Sequence, residues 1–384
     1  MNIWLDAAFW IGLALTASIL SVWSGISVAM IEIIIGVIAG NYLGLITTQW
    51  VDFLAGFGSI FLTFLAGAEV DPAVLRSKFK ESVSMGVVSF LIPFLVCFAY
   101  AYYKAGWTLE ASEIAGIALS TTSVAIVYSV MVETGLNTTE LGKIILAACF
   151  ITDLGTVLAL GVIFAQYNVW LYVFIAVMVL ALFLVNKIAG PFTSALGGRV
   201  SQVEVKLIYF FLFLLGGLAL KANSEAVLPA YLLGLALAKL LAREKEMLAR
   251  MRTTAFATLT PFFFLKAGLL LSVKALWAGL AVILILLGVK MMAKFIGVMP
   301  LSLLFKLGKN NSIYTTLLMS TGLTFGSISA MFGLTHNIIN QQQYSVLVTA
   351  VVLSGIVPTL IAQTYFRPDR SKKVKPVALP ERSN

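Results

Sequence analysis

Charge is what this chain has least of. Only 11% of its 384 residues are Asp, Glu, Lys or Arg, against about a quarter in a soluble domain. There is one histidine, His336, and there are two cysteines, Cys97 and Cys149, each inside an apolar run. That set builds no disulfide framework, zinc site or haem attachment, and no cofactor is expected. Clustered acids of the kind that hold Mg²⁺ beside a diphosphate are also missing. The closely spaced acids, Glu69 with Asp71 and Glu110 with Glu113, fall at the ends of apolar runs. The chain is therefore not expected to be an intramembrane transferase or any other enzyme.

In place of charge there is apolar length. Sixty per cent of the residues are hydrophobic and the mean hydropathy is +1.00, which implies an all-α polytopic membrane protein. The first apolar stretch follows Asp6 rather than a basic segment, so it reads as a span and not as a cleavable signal. Runs of about 20 apolar residues predict thirteen spans, near 7–23, 26–46, 52–70, 82–104, 110–133, 140–167, 169–188, 202–220, 225–242, 255–272, 274–299, 311–333 and 344–366.

Basic residues alternate between the two sides of these spans. One side receives Arg76, Lys78, Lys80, Lys143, Lys187, Arg199, Lys206, the run from Lys239 to Arg252, Lys306 and Lys309. The other side has Lys104, Lys221 and Lys274. By the positive-inside rule the N-terminus is external and the C-terminus cytoplasmic, in a cell (inner) membrane. The same distribution argues against nucleic acid as the partner of the +9 net charge. Residues 367–384 form a short basic stretch with three prolines, expected to be disordered and to lie at most near anionic headgroups, with no soluble regulatory domain after it.

Against this background one acid stands out. Asp153 lies near the middle of Ile144–Ala165, an otherwise uncharged 22-residue run. A carboxylate at membrane depth costs several kcal/mol unless partnered, and marks an ion or proton path by default. Thr152 adds a hydroxyl before it and Gly155 a glycine two after it.

Two other spans are rich in hydroxyls and glycine. The fifth contains Ser120-Thr121-Thr122-Ser123, and the twelfth runs from Ser320 through Gly322 and Thr324 to Ser327. Interrupted helices at corresponding positions of two halves point to a transporter site. Small residues that merely let helices pack closely would look similar. The separation of seven spans predicts two inverted repeats, spans 1–6 and 8–13, around a linking seventh. Crossed broken helices would bring oxygen ligands for an alkali cation to the midplane beside Asp153. A carboxylate that binds either a cation or a proton suffices for exchange.

The remaining embedded charges admit two readings each. Lys290 and Lys294 share one face of the eleventh span; either could pair with Asp153, or snorkel to the interface. Glu32 in the second span is a further carboxylate in the ion path or a structural acid bonded to a neighbouring helix. Glu69 lines an ion funnel or simply ends the third span at the interface. Lys266 is another embedded base with no assigned partner, and His336 falls in an external loop.

Several of these segments together resemble the monovalent cation:proton antiporter-2 family, the branch holding NapA-like and Kef-type exchangers. Glu32 to Gly40 resembles its second-span pattern of an acid followed by spaced glycines. Phe64-Leu65-Ala66-Gly67-Ala68-Glu69 resembles its third-span ending, Ala118 to Ser123 its broken helix, and Ala293-Lys294-Phe295-Ile296-Gly297 its lysine-containing span.

The resemblance implies an ion-binding core domain, mainly 70–167 and 274–366, and a dimerisation domain, mainly 1–50 and 202–272, joined by a linker helix at 169–188. It also implies homodimers and an elevator-type movement of the core. By position Asp153 matches the essential aspartate, with Thr121, Thr122 and Ser123 as broken-helix ligands. Thr152, beside the acid, joins them as a candidate ion- or proton-binding residue, and Glu32, Glu69 and Thr324 are candidate supporting residues. Lys294 matches the lysine that pairs with the aspartate in electrogenic members.

The chain departs from the family where Thr152, not a second acid, precedes Asp153, and where Gly322-Leu323-Thr324-Phe325 stands for Gly-Glu-Phe. With one acid the expectation leans to 1:1 electroneutral exchange of Na⁺ or K⁺ for H⁺, and a lysine able to lose its proton would make it two protons per cation. The alternative is a sodium-coupled symporter of an organic anion, on a bile-acid-transporter-like fold.

Overall fold

In a computed structural model the described residues are 2–24, 26–68, 78–163, 169–196, 202–222, 226–271 and 273–368. They form seventeen α-helices and one π-helical turn. Apolar runs in lipid must satisfy every backbone N–H and C=O internally, which a helix does. The first four helices are α1 (Ile3–Ser24), α2 (Val28–Tyr42), α3 (Gln49–Ala68) and α4 (Phe79–Tyr103). The fifth span is split into α5 (Leu109–Ser120) and α6 (Val124–Thr134). Then come α7 (Glu140–Ile163), α8 (Val169–Leu196), α9 (Val203–Lys221), α10 (Val227–Leu241) and α11 (Lys245–Thr254). The π-helical turn Ala255–Leu259 leads into α12 (Thr260–Leu269). The chain ends with α13 (Val273–Ala278), α14 (Leu280–Leu304), α15 (Lys309–Met319), α16 (Thr324–Thr335) and α17 (Gln341–Tyr365).

Nine of the described helical segments are long and apolar enough to cross a membrane, and three shorter apolar helices are Val28–Tyr42, Val169–Val185 and Pro229–Leu241. The expected tenth span is the continuous stretch from Ala255 to Leu269. All thirteen expected spans thus coincide with helices. Besides the split fifth and twelfth, two differ in detail from a single straight rod. The tenth follows directly from amphipathic α11 through the π turn, where Pro261 lacks the N–H that would bond residue 257. The eleventh is preceded by the separate short helix α13.

Packing recurs with an offset of seven spans. Span three (α3) packs on span nine (α10), and span ten (α12) packs on span two (α2). Both crossings are glycine to glycine. A Cβ on Gly67 or Gly234 would strike the facing backbone of the other helix, and the same holds for Gly36 and Gly268. In the other group α4 packs on α5, α7 and α14, and α14 packs on α15 and α17. Trp10, Ala14, Ile31, Val51, Phe262 and Leu265 form an apolar cluster of their own across α1, α2, α3 and α12.

Candidate ion-binding site

Both hydroxyl-rich spans are broken, as their composition predicts, and the breaks touch. In the fifth span Ser120 ends α5, Thr121 is extended (φ −60°, ψ 155°) and Ser123 caps α6 by accepting from the Ile126 amide. In the twelfth, Ser320 to Leu323 separate α15 from α16. The Thr122 hydroxyl donates to the Met319 carbonyl at 3.1 Å, and the Ser123 amide donates to Thr321 Oγ1 at 3.3 Å. Each break supplies the other with partners that helical bonding no longer provides. Thr121 and Thr321 donate locally, to the Ala118 and Leu318 carbonyls.

Asp153 lies beside this crossing, 5% exposed, in the middle of α7. Its carboxylate faces the backbone N–H groups of Thr122 and Val124 at the start of α6. One oxygen, Oδ1, is sealed from solvent with no hydrogen-bond partner. A helix N-terminus carries roughly half a positive charge, so it favours a carboxylate here. An unpartnered buried oxygen costs on the order of 1–3 kcal/mol or more, and a bound proton or cation satisfies it.

The complementary end is held by lysine. Lys294, fully buried, donates to Ser89 Oγ at 2.8 Å, the Ser120 carbonyl at 2.8 Å and Thr122 Oγ1 at 3.2 Å. It neutralises the negative C-terminus of α5 as Asp153 answers the positive N-terminus of α6. Lys290, also fully buried, donates to Ser354 Oγ at 2.8 Å and lies against Gly322 in the second break. The snorkelling reading is therefore corrected for both lysines: each ammonium turns inward, Lys294 to acceptors at the first break and on α4, Lys290 to the Ser354 hydroxyl of α17. Lys294 is the one whose field reaches Asp153, yet the two form no ion pair within 4.0 Å among the described residues. In this conformation α5's terminal carbonyl and two hydroxyls hold Lys294 instead.

The other candidates fall into place around the crossing or away from it. Thr152 donates to the carbonyls of Gly86 (3.1 Å) and Ala148 (3.0 Å), so its hydroxyl ties α7 to α4. Thr324 is the first residue of α16, half-buried at the edge of the second break. Glu32 is buried in α2 with Oε2 unpartnered, within the field of Glu133 of α6. Glu69 lies outside the described residues. Lys266 has a partner after all, Asp52 at 2.7 Å, across α12 and α3. His336 is exposed after α16 and stacks on Phe332 at 3.9 Å. Sequence reading did not single out Ser89, Ser354 or Glu133. A serine in an apolar run signals close packing as readily as a lysine acceptor, but Glu133, an acid near the end of the fifth span, carried a signal that burial makes plain.

Residues 11–367 match the transmembrane family of sodium/hydrogen exchangers. The chain belongs to that family. The exchanger assignment covers both breaks, Asp153 and both lysines. Among curated relatives the chain is similar to a probable Na(+)/H(+) antiporter 3 of Methanocaldococcus jannaschii, 30% identical over 85% of this chain and 86% of that protein. A Na(+)/H(+) antiporter of Enterococcus hirae is 26% identical over 89% and 92%. The fold is that of the solved sodium proton antiporter MjNhaP1 from M. jannaschii, with a TM-score of 0.70 at 15% identity over 94% of this chain and 98% of that one. The cation/proton antiporter reading accordingly holds, and the sodium-coupled symporter does not. The family is one of transporters, not enzymes.

Proposed function

We propose that this exchanger moves a monovalent cation, Na⁺ or K⁺, against protons by alternating access, with Asp153 binding one or the other at a time. The observation that carries the reading is the sealed, unpartnered Oδ1 of Asp153 beside two crossed helix breaks. Hydroxyl and carbonyl oxygens there are hard ligands suited to an alkali cation. Competition for a single carboxylate couples the two ions without further machinery. The two groups of packed spans support a division into an ion-binding core (70–167 and 274–366) and a dimerisation domain (1–50 and 202–272), linked by 169–188. The recurring contacts support inverted repeats. An elevator movement of the core within a homodimer fits that division. The alternation of basic residues supports a cytoplasmic C-terminus in a cell membrane.

The test is transport in proteoliposomes under an imposed ΔpH, comparing Na⁺, K⁺ and Li⁺. Asp153→Asn keeps the volume of the side chain and removes its charge, so exchange falls to the level of empty liposomes while the variant still purifies folded. Cation-driven proton flux persisting in Asp153→Asn would overturn the assignment.

A further inference from the structure

A second buried acid pair lies where α2 begins, α6 ends and α17 ends. Glu133 Oε2 accepts from the Val28 amide at 3.1 Å, so a residue of α6 caps the N-terminus of α2. Gln363 of α17 does the same for the Ser27 amide at 3.0 Å, and its Nε2 is left buried without a partner. Glu32, four residues on from Val28 and so on the same face of α2, is only 2% exposed with its Oε2 unpartnered, and lies within the field of Glu133. A cavity of about 390 Å³ opens onto the seam and is lined by Ser27, Val28, Glu133, Gln363 and Arg367 among others.

Other charged groups on the helices around α2 lie elsewhere or at the rim. Asp6 of α1 binds Trp50 Nε1 at 3.1 Å, and Lys266 of α12 is paired with Asp52. Beyond α17, Arg367 is exposed at the cavity mouth. Glu133 draws on the α2 amides for its charge; Glu32 has no such donor at Oε2. Two neighbouring carboxylates out of water titrate as a pair, and the second charge is opposed by the first.

We propose that Glu32 and Glu133 form a second proton site, distinct from Asp153, which holds one proton between two carboxylates at the seam of α2 and α6. With the proton bound, Glu32 is a neutral acid and the Glu133 carboxylate clasps the α2 N-terminus. When the proton leaves through the cavity, two like charges face each other and the clasp loosens. Under the exchanger reading α2 and α6 belong to the parts that move against each other, so this proton gates that movement.

The measurement is infrared difference spectroscopy of the full chain across pH, in an Asp153→Asn background so that Asp153 contributes nothing. A carboxylic-acid C=O band that vanishes as pH rises is expected. It is lost in Glu32→Gln, and in Glu133→Gln it titrates lower by about one pH unit or more. Superimposable pH-difference spectra in all three proteins overturn the proposal. Hydrogen exchange at Val28 and Ala29 in the unaltered chain covers the case in which Glu32→Gln does not fold. Protection, corrected for intrinsic rates, drops about tenfold across the same pH range, and pH-independent protection overturns the proposal. Neither readout needs transport, so a chain that exchanges no cations sinks the Asp153 reading and leaves this one standing.

Discussion

At the scale of single residues the site is governed by charges that lipid makes costly and by the partners that offset them. Lys294 has three acceptors and Lys290 one. Each hydrogen bond to a buried charge contributes about 1.5–3 kcal/mol in water-soluble proteins and on average about 0.6 kcal/mol between membrane helices. Lys294→Ala is therefore expected to destabilise the protein by about 1–6 kcal/mol more than Lys290→Ala does, for two further hydrogen bonds at those values, and to melt at the lower temperature in detergent. Equal losses would show that the acceptors at Ser89 and Ser120 contribute little.

Gly322 gives a second check on the same residues. A Cβ there collides with Lys290 Nζ and comes within 2.9 Å of Ser354 Oγ and 3.1 Å of Thr121 Oγ1. Gly322→Ala should lower exchange by displacing the Lys290 ammonium, and adding Lys290→Ala should restore part of it; no restoration would place the clash elsewhere. Asp153 and both lysines were legible in the sequence because lipid admits such groups only with a purpose. Their partners were not. Pairing depends on a few ångströms of tertiary geometry, and Lys294 chose a helix terminus over the carboxylate that its position in the family led one to expect.

At the scale of helices, close approach is set by glycine. A Cβ at Gly36, Gly67, Gly234 or Gly268 meets facing backbone, whereas at Gly56, Gly217 and Gly288 nothing lies within 4 Å. Overpacking a close interface costs typically 1–3 kcal/mol. Alanine at Gly36 or Gly234 is thus expected to destabilise by about that much, and at Gly217 or Gly288 to be neutral or mildly stabilising, since helix propensity improves by up to about 1 kcal/mol. Thermal unfolding in detergent separates the two classes, and identical shifts would remove glycine contact as the basis of the crossings.

The spans themselves were legible from hydropathy, and both breaks from hydroxyl-rich composition, since a helix broken in lipid must recruit side-chain oxygens. The π turn before Pro261 and the separate α13 were not. They depend on how one hydrogen-bond ladder slips, which leaves apolar periodicity almost unchanged.

For the whole molecule the deciding quantity is the net charge moved per cycle. Thr152 takes the place of a second acid and its hydroxyl is bonded to α4. Asp153 is then the single carboxylate at the crossing among the described residues. One proton exchanged for one monovalent cation moves no net charge, provided that Lys294 keeps its proton throughout. Its three acceptors, one of them the terminal carbonyl of α5, favour the charged ammonium in the conformation seen here. A membrane potential of 100 mV acts on one net charge with about 2.3 kcal/mol, roughly a fifty-fold shift in the cation gradient at balance. For two protons per cation, clamping proteoliposomes with a potassium diffusion potential, using Na⁺ as the exchanged ion, shifts the balance point by that factor. For one, the balance point does not move. We expect no movement, in the native chain and in Lys294→Gln alike. A potential-dependent balance point that Lys294→Gln abolishes would instead make Lys294 the carrier of the second proton.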